Sequence, residues 1–252
     1  MKKNFDVDII IPTYNSKKFI LNTIKSVFDQ TYKNWRLIVI DDASTDGTTE
    51  VLENLYKKLK KKKNFLFYRN RINKGQAFSR NLGLKISKSK FIAFLDSDDF
   101  WSKNKLKKQI QFMTKNNYDF TYTDYKIIKD NKIKKITVPN NYNYEKFIHN
   151  SSINTCGIIL KKKIINNIYF KNLRFSEDYF FKCQILKKVH AYKCPNVYAY
   201  YLIRKNSLQS NRLSVLFSLW FINKNLNKMN IFHNFLSIFF ISINSLKKYG
   251  FR

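Results

Sequence analysis

Four short apolar runs, Val7 to Ile11, Leu37 to Ile40, Phe65 to Tyr68 and Phe91 to Leu95, alternate with segments whose apolar residues recur at helical spacing. The runs are continuous rather than alternating, so each reads as a strand buried on both faces, as parallel strands are. Between them lie the stripes Ile20, Ile24, Val27 and Phe28, then Val51, Leu52, Leu55 and Leu59, then a short helix over Ala77 to Ile86. Strand and helix alternating through short connections predict an α/β fold, Rossmann-like, with a mostly parallel sheet and helices on both faces. Ligands of such sheets bind beyond the carboxyl ends of the strands. Three of those ends are polar: Thr13 to Asn15, Asp41-Asp42, and Asp96 to Asp99. Asn15 or Ser16 is placed to cap the first helix.

The fourth run stops abruptly at Asp96-Ser97-Asp98-Asp99. Strand alternation would put Asp96 and Asp98 on the same side, roughly 6.6 Å apart. Two carboxylates that close repel unless a cation or a proton lies between them. Oxygen-only ligands suit a hard divalent ion that keeps waters and phosphate oxygens in its other positions, so this turn is a candidate metal–diphosphate site. Alone, D-x-D is equally the pattern of a solvated acidic turn.

After Trp101 the pattern changes. A helix is expected over Lys103 to Lys115, with Leu106, Ile110 and Met113 inward, and strands over Asp119 to Thr123 and Gly157 to Leu160. Ile127-Ile128 and Ile133 to Val138 flank a hairpin turn at Asp130-Asn131. Ser176 is placed to cap a helix over Tyr179 to Lys188, with Glu177 and Asp178 at its start. Tyr192 to Cys194 and Tyr198 to Ile203 read as two strands, and the chain from Leu213 is helical, apolar and basic.

The net charge of +31 predicts attraction to something anionic: nucleic acid, an acidic membrane or a phosphate-bearing substrate. A/T-rich codon usage accounts for the same lysine excess, since the chain is also rich in Asn, Ile and Phe and holds only 5 Gly and 3 Pro. Three scattered cysteines without a C-x-x-C pair indicate neither a zinc site nor a disulfide framework, and fit a reducing compartment. No signal segment and no uninterrupted apolar span of membrane length is evident. His149, His190 and His233 lack metal-site spacing, and Trp35, Trp101 and Trp220 read as packing residues, although Trp101 lies near enough to the acids to stack on a sugar.

Four pieces in order resemble the donor half of a family 2 glycosyltransferase with the GT-A fold, of the bacterial surface-polysaccharide type. They are I-I-I-P-T-Y-N at Ile9 to Asn15, V-I-D-D-A-S-T-D-G-T at Val39 to Thr48, N-K-G-Q-A-F-S-R-N-L-G at Asn73 to Gly83, and F-L-D-S-D-D at Phe94 to Asp99. Ser176-Glu177-Asp178 is similar to the family's acceptor-side E-D motif. The resemblance covers residues 7 to about 205. It implies that Pro12, Thr13, Tyr14, Asn15, Asp41, Asn73, Arg80, Asp96, Ser97, Glu177 and Arg204 contact a nucleotide-sugar, with Asp41 at the nucleoside and Asn73 in a turn folding over it. It further implies Asp98 and Asp96 as ligands of Mn2+ or Mg2+, and Asp178 as the base that takes the acceptor proton during inversion.

The domain division expected from this is a GT-A domain over 1–208, with nucleotide-sugar half 1–100 and acceptor half 101–208, followed by basic amphipathic helices over 209–252. The function expected is transfer from a UDP-sugar to a hydroxyl of a growing or lipid-linked surface glycan, in the cytoplasm or at the inner face of the membrane. The tail docks on anionic lipid, or packs on its own domain, or forms a homodimer contact. Two other readings remain open at this point: a basic nucleic-acid-binding protein, for which no helix-turn-helix, RNP or zinc pattern is present, and a non-catalytic nucleotide-sugar or glycan-binding relative.

Overall fold

A computed structural model describes residues 4–59, 63–130, 132–203 and 212–250. Its first half follows the expected alternation: β1 (Val7–Thr13), α1 (Ile20–Phe28), β2 (Trp35–Asp41), α2 (Thr48–Leu59), β3 (Phe65–Arg69), α3 (Gln76–Ile86) and β4 (Phe91–Phe94). These four strands are parallel in the order β3-β2-β1-β4. Val7, Ile9, Ile10, Ile11 and Leu37 to Ile40 are fully buried, which is why their runs carry no polar alternation. The helix α3 lies directly against β1. A Cβ on Gly83 would stand 2.5 Å from Cγ2 of Ile10, so glycine is what permits the approach.

The sheet continues through β9 (Ile159–Lys161), β6 (Phe120–Lys129), β10 (Ala191–Leu202) and β5 (Phe100–Trp101), in the order β4-β9-β6-β10-β5. β9 is antiparallel to both neighbours, while β10 is parallel to β6. A hairpin with Asp130 at φ +47° joins β6 to β7 (Lys132–Ile136). The remaining elements are α4 (Lys105–Lys115), β8 (Asn141–Tyr142), α5 (Tyr144–Asn150) and α6 (Glu177–Leu186). The strands expected over 119–123 and 127–128 are one strand, β6. Likewise 192–194 and 198–203 merge into β10, whose ladder shifts register between Cys194 and Tyr198. Pro195 lacks an N–H there and Asn196 is left-handed at φ +57°, so the interruption is a bulge rather than a strand end.

Neither expected cap forms. α1 starts at Ile20 without a side-chain cap; the Ser16 carbonyl accepts from the N–H groups of Phe19 and Ile20 instead. Ser176 is left-handed at φ +59° and makes no capping bond, which leaves Glu177 and Asp178 in the first turn of α6.

The tail forms α7 (Arg212–Phe221), a π-helical turn at Ile222–Leu226, and α8 (Ile231–Tyr249). It packs on its own domain through buried polar groups. Asn223 Oδ1 accepts from the Tyr179 hydroxyl at 2.8 Å, Asn223 Nδ2 donates to Ser237 Oγ at 2.9 Å, and Ser237 Oγ donates to the Ile148 carbonyl. Of the described helices, none is long and apolar enough to cross a membrane.

Candidate active site

Arg80 joins the two halves. Its side chain sits on α3, almost fully buried, and it donates from Nη2 to Asp96 Oδ1 at 2.6 Å and from Nη1 to Glu177 Oε1 at 2.7 Å. The Phe170 ring lies 5.2 Å from its guanidinium carbon. Burial works against its charge, but Asp96 and Glu177 outweigh that and keep the guanidinium protonated. Burial raises Glu177, with Arg80 opposing and neighbouring Asp178 reinforcing the rise.

Asp178, half-buried, accepts on Oδ2 from Thr155 Oγ1 and from Lys182 Nζ, each at 2.7 Å. Lys182 is buried and also donates to the Ile153 carbonyl at 2.8 Å. Burial alone would raise the Asp178 carboxyl; Lys182 first, then Arg80, hold it well below the usual carboxylate range. It is therefore ionised at any working pH.

At the acidic turn the strand geometry assumed from the sequence does not apply. β4 ends at Phe94, and the Asp99 N–H closes a turn onto the Asp96 carbonyl at 3.1 Å, so the alternation that paired Asp96 with Asp98 is absent. Asp96 and Asp98 are half-buried, and Gln76 Nε2 also reaches Asp96 Oδ1 at 3.1 Å. Asp99 is buried. It accepts from the Cys156 thiol at 3.0 Å and from the Leu202 N–H at 3.0 Å, which ties the turn to the end of β10. Burial, then Asp98 and Asp96, push Asp99 up; burial likewise raises the Cys156 thiol. Ligand atoms of Asp96, Asp99 and Cys156 lie within 4.8 Å of one another, yet a protonated thiol bonded to an acid is no match for a hard cation. Asp96 and Asp98 are the half-buried carboxylates of this turn.

The other expected residues separate. Thr13 is at the end of β1, buried, with no hydrogen-bond partner on Oγ1 among the described residues. Pro12 is buried beside it, in register with Ile40, and Tyr14 is exposed. Asn15 is left-handed, its side chain accepting from the Thr45 N–H at 2.8 Å. Asn73 is exposed and accepts from the Gly75 N–H. Asp41 turns inward: it is fully buried and its carboxylate is taken by Ser44 and Thr49. Its neighbour Asp42 accepts from Lys74 N–H and Gly75 N–H, the latter at 2.7 Å, and so holds the turn after Asn73. Ser97 also faces away, bonded to Ser16 Oγ at 2.7 Å. Trp101 is a packing residue, donating to the Cys156 carbonyl under the Lys105 ammonium, and is too buried to stack on a sugar. Arg204 lies outside the described residues.

Sequence reasoning passed over Lys182 and Thr155, and gave Gln76 and Asp42 no role of their own beyond the motif and strand end that contain them. Only Lys182 had a local signal, standing four residues after Asp178 on one helix. A cleft of about 730 Å³ is lined by Phe78, Leu82, Lys85, Lys162, Ile165 and Tyr169 among others. Its lining holds no carboxylate.

The Glycosyl transferase family 2 model matches residues 8–201 of this chain. The Escherichia coli UDP-Glc:alpha-D-GlcNAc-diphosphoundecaprenol beta-1,3-glucosyltransferase WfgD is 38% identical, over 85% of this chain and 83% of its own. The Bacillus subtilis putative teichuronic acid biosynthesis glycosyltransferase TuaG is 31% identical, over 89% of each. Among solved structures, Staphylococcus aureus TarS 1-349 in complex with UDP-GlcNAc aligns with a TM-score of 0.73 at 22% identity, covering 96% of this chain and 73% of that one. The mannosyltransferase PcManGT from Pyrobaculum calidifontis, in complex with GDP-Man and Mn2+, aligns at 0.70 and 15% identity, covering 99% and 72%. The sheet order and the acids gathered on Arg80 thus belong to a GT-A fold, and the chain is a member of glycosyl transferase family 2, a glycosyltransferase.

Proposed function

We propose that this enzyme transfers a sugar, with inversion, from a nucleotide-diphosphate donor, taken to be a UDP-sugar, to a hydroxyl of a lipid-linked or growing bacterial surface glycan. The observation that carries the reading is the Arg80 bridge from Asp96 to Glu177, which binds the donor-side acid to the acceptor-side pair. Names of the relatives support the donor and acceptor classes: WfgD uses UDP-Glc on a diphosphoundecaprenol-linked sugar.

In this reading the acceptor oxygen attacks the anomeric carbon and its proton passes to Asp178. The bond from that carbon to the diphosphate breaks on the opposite face, releasing the nucleoside diphosphate. Thr155 and Lys182 occupy Oδ2 of Asp178, and Oδ1 is the atom assigned to the acceptor proton. Arg80 orients Asp96 and Glu177 and keeps positive charge beside the departing phosphates. Asp98 and Asp96 would hold a Mn2+ or Mg2+ ion, which supplies charge neutralisation at the diphosphate. The unpartnered Thr13 hydroxyl and the turn held by Asp42 are assigned to the nucleoside, with residues 1–100 as the donor half and 101–208 as the acceptor half.

The test is a thermal-shift panel of nucleotide-sugars with and without manganese, followed by a transfer assay. Asp178→Asn is expected to keep donor binding and lose transfer. No shift with any UDP-sugar, or full transfer by Asp178→Asn, would overturn the reading. A salt titration of RNA binding, read beside the product assay, separates it from nucleic-acid binding and from a non-catalytic relative.

A further inference from the structure

Both tail helices present an apolar stripe to solvent, each on the side opposite its buried stripe. On α7, Leu213, Phe217 and Phe221 recur every four residues, with Phe217 73% exposed, while Leu219 faces inward. On α8, Phe232, Phe235 and Phe239 share one face, Phe232 being 66% and Phe235 60% exposed, opposite Asn234, Ser237 and Ile241. Scattered single phenylalanines need no account, but two adjoining helices that each carry an exposed stripe do.

We infer that this face is a membrane-docking surface that seats in the interface of an anionic bilayer. The charge pattern selects the partner. The whole chain from Tyr179 to Arg252 contains no Asp or Glu. Lys224 and Lys228 in the connection between the helices, and Lys247 near the end of α8, are exposed. An apolar face on helices that carry basic and no acidic side chains matches lipid tails below anionic headgroups. A second copy of this chain fits less well, because a two-fold contact would set the tail lysines against one another, and neither tail helix carries an acid to offset them.

The face is joined to the catalytic residues by short connections. Ser218 on α7 donates to the Phe175 carbonyl at 2.8 Å, two residues before Glu177, and Asn223 receives the hydroxyl of Tyr179, next to Asp178. Docking therefore sets the position of the acid pair relative to the bilayer, where a lipid-carried acceptor presents its sugar. This last link rests on the function proposed above; the docking surface itself does not.

The test is flotation of the full chain with vesicles of phosphatidylglycerol and phosphatidylcholine in equal parts, against phosphatidylcholine alone. The wild type is expected to float with the anionic vesicles, less so as salt rises. Phe217→Ser with Phe235→Ser is expected to lower partitioning at least about tenfold while leaving melting temperature and UDP-sugar binding unchanged. Lys224→Glu with Lys228→Glu is expected to weaken binding to anionic vesicles only. Unchanged partitioning of the phenylalanine variant, or failure of the wild type to float, would overturn the inference. So would light scattering that shows a dimer which the phenylalanine variant dissociates, or RNA binding that it abolishes while vesicle binding persists. None of these readouts depends on transfer, so the failure of docking and the failure of the enzymatic reading are distinguishable.

Discussion

Lys182→Met tests how Asp178 is held. The ammonium lies 2.7 Å from Oδ2 with its side chain 5% exposed, against 30% for Asp178. An opposite charge at this range lowers a carboxyl by about 1–3 pKa units, each worth about 1.4 kcal/mol. A depressed folded-state pKa contributes stability that is complete above the unfolded value of about 3.9 and is lost as pH falls through the folded value. Removing Lys182 is therefore expected to lower stability by about 1–4 kcal/mol at neutral pH. The gap in melting temperature between variant and wild type is expected to be full above about pH 5 and to narrow progressively as pH falls towards the depressed folded-state value of Asp178. In kinetics the acid limb of kcat/KM should rise by about 1–3 units, with donor KM little changed, because Lys182 contacts Asp178 rather than the acids of the donor side. Lys182→Arg, which keeps the charge, should restore the wild-type limb. A stability gap independent of pH together with an unmoved acid limb would refute the argument and leave Lys182 as a packing residue.

Arg80→Met leaves Asp96 and Glu177 facing each other without their shared cation. Urea unfolding at pH 7 should show a loss of about 3–5 kcal/mol, partly recovered as the pH is lowered and Glu177, already raised by burial, takes a proton. Gly83→Ala drives a methyl to 2.5 Å from Ile10 Cγ2 and should cost about 1–3 kcal/mol, seen as a lower denaturant midpoint with the same slope.

The sequence by itself determined the alternating framework, because Ile9 to Ile11 and Leu37 to Ile40 are locally continuous apolar runs of the kind that a doubly covered parallel sheet buries. It also singled out Asp96, Arg80, Glu177 and Asp178 as candidates, through four ordered motifs and the later acid pair. It could not distinguish Asp41 from Asp42: adjacent residues of one type differ only in which way the chain leaves the strand, and that is set by Ser44, Thr49 and Gly75. Strand alternation misjudged the pairing of Asp96 with Asp98 because the chain turns there, under bonds to Cys156 and Leu202 from far along the sequence. Ser97 and Trp101 were drawn into the interior by partners equally remote. What tertiary structure alone decided was the set of side chains that meet at each acid. Thr155 reaches Asp178 across 23 residues and Arg80 reaches Glu177 across 97, separations at which local periodicity carries no information and only the packed sheet brings the groups within 3 Å.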